Sequence, residues 1–419
     1  MTTLNVFWDS TLVGQLSRAG ARDMEFRYAD AYRAAPGARP ISLSLPLQAD
    51  PFLGALPAAW FANLLPEGSI RGHVARALGV SERNEFAILE RIGGDCAGAL
   101  RLLPESGPAD EGGAPVPLPW AELEAKLAAV PRPSLLALMV GEGGLRLSLA
   151  GAQDKIPVHF RDGALSLPGG RQASTHLLKI DSGVFPGLVQ NELFCLTLAR
   201  EVGLPAVAAQ VAPTPTPMLL IERYDRRPNA DGSVDRLHQE DFCQALGRPP
   251  EVKYQGEGGP SLAELFAVLA RGSRTPLPDK RDLLKLVIFN FIIGNADAHA
   301  KNVSLVWDED GPRLAPFYDL VCTAAYASLA TKQAQKIGGE YRPANIAARH
   351  WDRCAAEIGV RPNYLRQAGL GLAERVEARA GAVAAGIAQA HGGAGSLDRL
   401  MRVVRQRLGW LQSELNRRT

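Results

Sequence analysis

The stretch NADAHAKN, residues 295–302, follows the apolar run LLKLVIFNFIIG at residues 283–294. The apolar run predicts a buried helix. The stretch after it places Asp297, His299, Lys301 and Asn302 within six residues. It lacks the Gly/Pro cluster that is typical of an ordinary turn. The pattern indicates a loop that presents chemically active side chains to a ligand.

Asp297 and Asn302 have the spacing D-x4-N. In protein kinases this spacing places a catalytic aspartate beside an asparagine that holds Mg²⁺. The segment VSLVWDEDGPRLAPFYDL, residues 303–320, predicts two strands joined by an EDG turn, which would return Asp319 close to Asn302. Mg²⁺ prefers carboxylate and amide oxygens of this kind, shared with phosphates and water. The alternative is a polar loop in which these residues serve only as caps.

Two upstream segments have the chemistry of phosphate sites. In RLSLAGAQDKIPV, residues 146–158, the small residues 150–152 allow the backbone to approach a ligand, and N–H groups of a tight turn can cradle phosphate. An ordinary hairpin turn is the alternative. Lys179 ends the strand-like STHLLKI, where a buried lysine needs a partner such as a phosphate or Glu192. A solvent-facing lysine on an edge strand is the alternative.

The segment LLIERYDR, residues 219–226, predicts a strand that leads out of this strand-rich region. Its residues Glu222 to Tyr224 are placed where backbone groups would read an adenine edge. A solvated strand end is the alternative reading. The Walker, G-x-S-x-G and G-x-G-x-x-G patterns are absent from the sequence.

The order of patterns along the chain predicts an α+β protein with two lobes. Short strands, including ISLSLPL at residues 41–47, fill the first fifty residues, and the Pro- and Gly-rich stretch near residue 110 predicts a linker. More strands follow up to about residue 240, and helices dominate after it. The last helix is predicted to begin with Ser396 as its N-cap.

Bulk composition excludes several classes of protein. The net charge of +2 gives no general attraction to nucleic acid or an anionic membrane, and no apolar run approaches the ~20 residues of a membrane helix. The start of the sequence has no signal-peptide pattern. Five scattered cysteines without zinc spacing favour a reduced, cytoplasmic location.

Eight motifs, taken together and in order, resemble the HipA family of bacterial serine/threonine-protein kinase toxins. They are FANLLPEG, IGGDCAGALRLLPE, SLAGAQDK, THLLKI, NELFCLTLA, ERYDR, GNADAHAKN and APFYDL. The resemblance implies a bilobal protein-kinase-like fold related to the phosphatidylinositol 3/4 kinases. It also implies an N-terminal subdomain at residues 1–105, a linker at 106–118, a kinase N-lobe at 119–240 and a helical C-lobe at 241–419.

The resemblance also assigns roles to residues for a kinase that uses ATP and Mg²⁺. Asp297 is expected to accept the proton of the substrate hydroxyl, Asn302 and Asp319 to ligate Mg²⁺, and Ser148 to be autophosphorylated. The residues expected to bind ATP include the two metal ligands. They are Ala150, Gly151, Ala152, Gln153, Asp154 and Lys155 in the phosphate loop; Lys179; Glu222, Arg223 and Tyr224 beside adenine; and His299, Ala300, Lys301, Asn302, Tyr318 and Asp319 around the pocket.

The family further implies targets and partners. Its members phosphorylate aminoacyl-tRNA synthetases, glutamyl-tRNA synthetase among them, and are neutralised by HipB, a helix-turn-helix antitoxin that also binds operator DNA. The sequence around Lys332 and Lys336 lacks the dense lysine cluster with which some members touch DNA, so DNA contact is expected mainly through the antitoxin. Two alternatives are a weak or inactive kinase that acts as an antitoxin-bound corepressor, and a kinase for a small molecule or lipid.

Overall fold

The computed structural model describes residues 2–18, 24–105, 114–129, 135, 155–169, 172–181 and 184–417. Ser148 and residues 150–154 of the expected phosphate loop lie outside the described residues. The chain divides into two compact units. The first comprises Met1–Ser182, Ala212–Glu251 and Val306–Glu309, and the second comprises Gly183–Val211, Val252–Leu305 and Asp310–Thr419. The boundaries of the three predicted domains and of the linker remain a prediction.

The first unit contains most of the strands, and helices dominate the second. The strands are β1 Thr3–Trp8, β2 Thr11–Arg18, β3 Met24–Tyr28, β4 Phe52–Gly54, β5 Leu100–Pro104, β6 Val116–Pro117, β7 Lys155–Arg161, β8 Ala164–Leu167, β9 His176–Ile180, β10 Ala209–Val211, β11 Met218–Glu222, β12 Arg226–Pro228, β13 Val234–Arg236, β14 Gln239–Asp241, β15 Ser304–Asp308 and β16 Gly311–Leu314. The helices are α1 Asp30–Ala34, α2 Ala55–Ala62, α3 Gly68–Ala77, α4 Glu85–Ile92, α5 Trp120–Ala128, α6 Leu188–Glu201, α7 Phe242–Ala245, α8 Leu262–Gly272, α9 Pro276–Ile293, α10 Ala348–Glu357, α11 Pro362–His391 and α12 Ala394–Asn416.

Two antiparallel sheets form the frame of the first unit. The first sheet has the strand order β4-β3-β2-β1-β5, and the second contains the run β11-β9-β7-β8-β6. In the first sheet apolar side chains alternate inward, for example Leu4 and Val6 on β1 and Phe26 on β3, all fully buried. This alternation is what a sheet with one buried face requires. Among the described residues, these side chains belong to one continuous apolar core that includes Trp60 of α2.

A cluster of buried charges lies between the N-terminal segment and the later strands of the first unit. Asp95 accepts from Arg226 Nη2 at 2.8 Å, and Arg223 holds both oxygens of Asp225 at 2.9 and 2.7 Å. Ser174 Oγ also donates to Asp95 at 2.6 Å. Burial alone would raise the pKa of Asp95, but the surrounding guanidinium groups hold that pKa well below its usual range. The cluster therefore joins two parts of the chain that are distant in sequence.

Glu240 is a buried carboxyl group of the first unit that lies outside this cluster. It accepts from Ser42 Oγ at 2.5 Å and from the Leu43 amide at 3.0 Å, with Trp60 Nε1 at 3.4 Å. Burial nevertheless raises the pKa of Glu240 to about 8, so the neutral form is favoured at neutral pH. The pKa of Glu240 is thus higher in the folded protein than in the unfolded chain, whose value is about 4.5. The folded state is therefore favoured most below pH ~4.5, and this contribution to stability is lost as the pH rises towards 8.

Replacing Glu240 with glutamine is expected to remove this loss, because an amide stays neutral at every pH. Between pH 5 and 8 the free energy of unfolding of the wild type should fall relative to that of the variant. The slope should be at most about 1.4 kcal/mol per pH unit, the value for one proton. Denaturant unfolding at several pH values measures it, with exposed Glu82→Gln as the control. Parallel pH profiles for wild type and Glu240→Gln would contradict the prediction.

The second unit is built from long helices around α9. Within it α9 packs against α8, α11 and α12, and α11 also packs against α6. Helix α8 begins with a capping box, in which Ser261 and Glu264 bind each other's backbone amides. Helix α9 begins with Pro276 at its first position, where a missing N–H costs nothing. These caps fix the residues at which α8 and α9 begin, and α9 then leads to residues 295–302.

Two predictions of local structure are wrong. The segment ISLSLPL forms no strand, because its polar groups bind side chains of other segments instead of a neighbouring strand. Tyr28 Oη, for example, donates to the Leu45 carbonyl at 2.5 Å and accepts from the Ile41 amide at 2.9 Å. Ser396 is not an N-cap: Gly393, with φ +78°, caps α12, and Ser396 Oγ donates to its carbonyl at 2.7 Å. Both differences depend on contacts that a local pattern does not contain.

No helix in the described parts of the chain is long and apolar enough to cross a membrane.

Candidate active site

The loop at residues 295–302 begins where a glycine ends the buried helix α9. Gly294 has φ +71°, a conformation that favours glycine. A Cβ atom at this position would come within 2.7 Å of Val403 Cγ1 and 2.9 Å of Ala324 Cβ. The chain therefore turns sharply out of the helix and against two neighbouring segments, which fixes the starting direction of the loop.

A short network of hydrogen bonds holds the first half of the loop. Asn295 Oδ1 accepts from the Asp297 amide at 3.0 Å, and Asn295 Nδ2 donates to Asn290 Oδ1 of α9 at 3.0 Å. Thr323 Oγ1 accepts from the Ala296 amide at 2.7 Å. Each bond satisfies a polar group near the helix end and ties the loop to a fixed element. The backbone that carries Asp297 is thus positioned before any ligand binds.

Asp297 itself points its carboxylate towards solvent while one oxygen is held by the protein. Tyr254 Oη donates to Asp297 Oδ1 at 2.5 Å, and His299 Nε2 lies 4.0 Å from the same oxygen. The Asp297 side chain is 53% exposed, whereas that of His299 is 6% exposed. An oriented but accessible carboxylate is what a general base requires.

Asn302 and the returning chain complete this part of the second unit. Asn302 Nδ2 donates to the Asp297 carbonyl at 2.9 Å. Tyr318 Oη donates to the Lys301 carbonyl at 2.8 Å and lies 2.5 Å from Ser304 Oγ. His299, Asn302, Tyr318 and Asp319 line one cavity. The prediction that strands β15 and β16 bring Asp319 back near Asn302 is confirmed.

Asp319 has an unusual backbone conformation. Its φ is +56°, and within the described residues only Asp9 and Asp162 share a positive φ among residues other than glycine. Those two lie in tight turns between paired strands, whereas Asp319 lines the cavity. A strained conformation of this kind persists only where the surroundings enforce it, and it is common at functional sites. The strain indicates that the orientation of the Asp319 side chain is important for the site.

The oxygen donors at this position fit Mg²⁺ bound together with phosphates. Asn302 offers an amide oxygen and Asp319 a carboxylate, both hard ligands. Over the described ranges no three His, Cys, Asp or Glu side chains gather into a self-sufficient metal site. Mg²⁺ in nucleotide sites is usually held by one or two protein ligands, with the remaining positions filled by phosphates and water. The residues present therefore suit a metal that arrives with a nucleotide.

The candidate ATP residues of the first unit are placed by its second sheet. Lys155 and Lys179 are paired in register on β7 and β9, and Lys179 is only 2% exposed. The prediction that Lys179 lies on a buried strand is confirmed. Two lysines on neighbouring strands concentrate positive charge on one face of the sheet, which suits a phosphate. The role of each lysine remains a prediction.

The segment expected beside adenine has mixed surroundings. Glu222 ends β11 and is exposed, while Tyr224 Oη donates to Gln239 Oε1 at 2.5 Å. The Arg223 side chain belongs to the buried charge cluster, and the Arg223 amide donates to the Thr175 carbonyl at 3.0 Å. The Arg223 carbonyl accepts from the Arg226 amide at 3.3 Å, so the described polar groups of Arg223 bind other parts of the protein.

Sequence reasoning did not find Tyr254, Asn295 or Thr323. Tyr254 precedes Asp297 by 43 positions and Thr323 follows it by 26, so no motif spacing connects them. Asn295 was visible at the start of the loop, and an Asn side chain often accepts a hydrogen bond from the backbone two residues further on. That pattern was the available signal for Asn295, whereas the other two required the fold.

Comparisons with known proteins agree with this architecture. Residues 147–389 match the HipA-like C-terminal domain and residues 4–103 match the HipA N-terminal domain. HipA of Shewanella oneidensis, in a toxin–antitoxin complex with HipB and operator DNA, superposes with a TM-score of 0.85 at 26% identity, covering 99% of this chain and 100% of that one.

Two curated relatives are similar in sequence over most of their length. A Sinorhizobium fredii protein named "Putative kinase Y4mE" is 47% identical over 365 residues, or 85% of this chain and 86% of the relative. The serine/threonine-protein kinase toxin HipA of Shewanella oneidensis is 32% identical over 323 residues, 74% of this chain and 72% of the relative. These similarities define a kinase of the serine/threonine class. The chain belongs to the HipA family of kinase toxins.

Proposed function

We propose that this protein transfers the γ-phosphate of ATP to a serine or threonine hydroxyl of another protein. Asp297 accepts the hydroxyl proton, the hydroxyl oxygen forms a bond to the γ-phosphorus, and the bond from that phosphorus to the bridging oxygen breaks as ADP leaves. The observation that carries the proposal is the exposed carboxylate of Asp297, anchored by Tyr254 and followed by Asn302 in the kinase spacing.

The predicted site residues would bind ATP and Mg²⁺. Asn302 and Asp319 are the proposed metal ligands, and the bound metal would offset the charge that develops on the phosphates. Lys179 and the loop Ala150 to Lys155 would pair with the phosphates, and Glu222 to Tyr224 would lie beside adenine. His299 to Lys301 and Tyr318 would shape the rest of the pocket.

Asp319→Asn is expected to weaken Mg²⁺-dependent ATP binding by at least ~10-fold while leaving the fold intact. Asparagine tolerates the left-handed backbone that Asp319 adopts, so the change removes the charge without adding strain. Titrating Mg²⁺ against ATP affinity by calorimetry measures the effect. Exposed Asp162, which also has a positive φ, supplies the control Asp162→Asn. An unchanged Mg²⁺ dependence in Asp319→Asn would show that Asp319 is not a metal ligand.

The proposed substrate is an aminoacyl-tRNA synthetase, glutamyl-tRNA synthetase being the first candidate. This proposal rests on family membership and on the toxin name of the Shewanella relative. Incubating the protein with γ-labelled ATP, Mg²⁺ and a bacterial lysate, with Asp297→Asn in parallel, identifies the labelled proteins. Label on a synthetase that requires Asp297 supports the proposal. Label confined to other proteins would overturn this choice of substrate.

We also propose a helix-turn-helix antitoxin of the HipB type as the neutralising partner, in the cytoplasm. The structural relative was solved with HipB and operator DNA, which supports a partner of the same kind here. Contact with operator DNA would run mainly through the antitoxin. Affinity purification from the native host should recover a small helix-turn-helix protein, and its absence from repeated purifications would count against the partner.

Ser148 is the proposed site of autophosphorylation. A phosphate there would add about −1.5 to −2 charges two residues before the small-residue loop and would compete for the amides that hold ATP. We expect ATP affinity to fall and Ser148→Ala to stay active. Mass spectrometry after incubation with Mg²⁺ and ATP tests the modification. Unaltered ATP binding by the phosphorylated form would contradict the inhibitory role.

A further inference from the structure

Tyr254 reaches the candidate base from a segment outside the loop at residues 295–302. It directly precedes a short 3₁₀ turn, Gln255–Glu257, and its hydroxyl donates to Asp297 Oδ1 at 2.5 Å. The Tyr254 side chain is half-buried, and its ring meets the ring of His299 edge-on at a centroid distance of 5.1 Å and an angle of 87°. One tyrosine thus contacts both the aspartate and the histidine of the loop.

The backbone around Tyr254 is fixed on both sides. The Tyr254 carbonyl accepts from the Gly259 amide at 2.9 Å, and the Lys253 carbonyl accepts from the Ala300 amide of the loop at 3.4 Å. A Cβ atom at Gly259 would lie 2.2 Å from the Val252 carbonyl oxygen, so only glycine permits this tight return. The phenol ring is therefore held by its own segment, by the loop and by His299, and its hydroxyl has a defined position.

We propose that Tyr254 is a positioning residue for Asp297, a role that rests on the proposed function of Asp297 as the base. The hydroxyl fixes the plane of the carboxylate by binding one of its oxygens, as a near-attack geometry requires. Tyr254 thereby sets the orientation of the base.

Tyr254→Phe tests this role, because phenylalanine keeps the ring that packs on His299 and removes only the hydroxyl. We expect kcat to fall by about 10- to 100-fold, the range for losing a hydrogen bond to a charged group, with KM for ATP changed by less than about 2-fold. Tyr364→Phe, at an exposed tyrosine of α11, is the matched control and should leave both quantities unchanged.

The variant Asp297→Asn, assayed in parallel, separates the role of Tyr254 from that of Asp297. Full activity in Asp297→Asn would overturn Asp297 as the base. Loss of activity in Asp297→Asn together with a wild-type kcat in Tyr254→Phe would overturn only the positioning role.

Discussion

Asp297→Asn is expected to lower the rate of phosphoryl transfer by about 10²- to 10⁴-fold, the range that a positioned general base contributes. The amide has the size of the carboxylate but cannot accept the proton of the substrate hydroxyl. Tyr254 Oη can still donate to the Oδ1 of an asparagine, so the loop should keep its shape. Single-turnover transfer from labelled ATP measures the rate, and circular dichroism checks the fold.

The matched control for this variant is Asp398→Asn, at an exposed position on α12. It makes the same change of charge in the same unit, away from residues 295–302 in sequence. We expect wild-type transfer from Asp398→Asn. Transfer by Asp297→Asn at a near wild-type rate would show that another group accepts the proton.

Asp95→Ala is expected to destabilise the protein by about 3–5 kcal/mol, because it leaves buried guanidinium groups without a compensating charge. Asp95 is 4% exposed and contacts Arg226 at 2.8 Å, Arg236 at 3.3 Å and Arg223 at 3.6 Å. A typical domain is stable by only about 5–15 kcal/mol, so this loss is a large fraction of the total. Urea unfolding followed by tryptophan fluorescence measures the change.

Asp235→Ala removes an equivalent carboxyl group at the surface of the same unit. Its pair with Arg227 spans 3.3 Å, with the two side chains 46% and 48% exposed. A solvated pair of this kind contributes about 0–1 kcal/mol. An equal loss of unfolding free energy in Asp95→Ala and Asp235→Ala would contradict the prediction. It would show that the buried cluster does not hold the N-terminal segment to the later strands.

The parts of the site that the sequence predicted are those encoded by local patterns. The apolar run before Gly294 predicted α9 and its end, and the EDG turn within residues 303–320 predicted β15 and β16. Together they placed Asp297, Asn302 and Asp319 in one region, because a turn between two strands returns the chain to its starting point. The order of the eight motifs predicted the family and, through it, the fold.

The contacts that local patterns missed connect residues far apart along the chain. Asp95 and Arg226 are separated by 131 positions, and Tyr254 and Asp297 by 43. Single charged or aromatic residues so far apart along the sequence form no periodic pattern, so the sequence does not predict their contact. In ISLSLPL the local pattern predicted a strand that does not form. Its polar groups form hydrogen bonds with the side chains of Tyr28 and Glu240 instead. In each case the tertiary fold decided the outcome.

The assignment of the phosphotransfer centre to residues 295–302 and Asp319 has one decisive test. A crystal structure of the protein with a non-hydrolysable ATP analogue and Mn²⁺ in place of Mg²⁺ locates the metal by its anomalous scattering. We expect Mn²⁺ within ligand distance of Asn302 Oδ1 and the Asp319 carboxylate, with the γ-phosphate facing Asp297. A nucleotide-bound metal held by other residues, with Asn302 and Asp319 making no contact to it, would contradict the assignment.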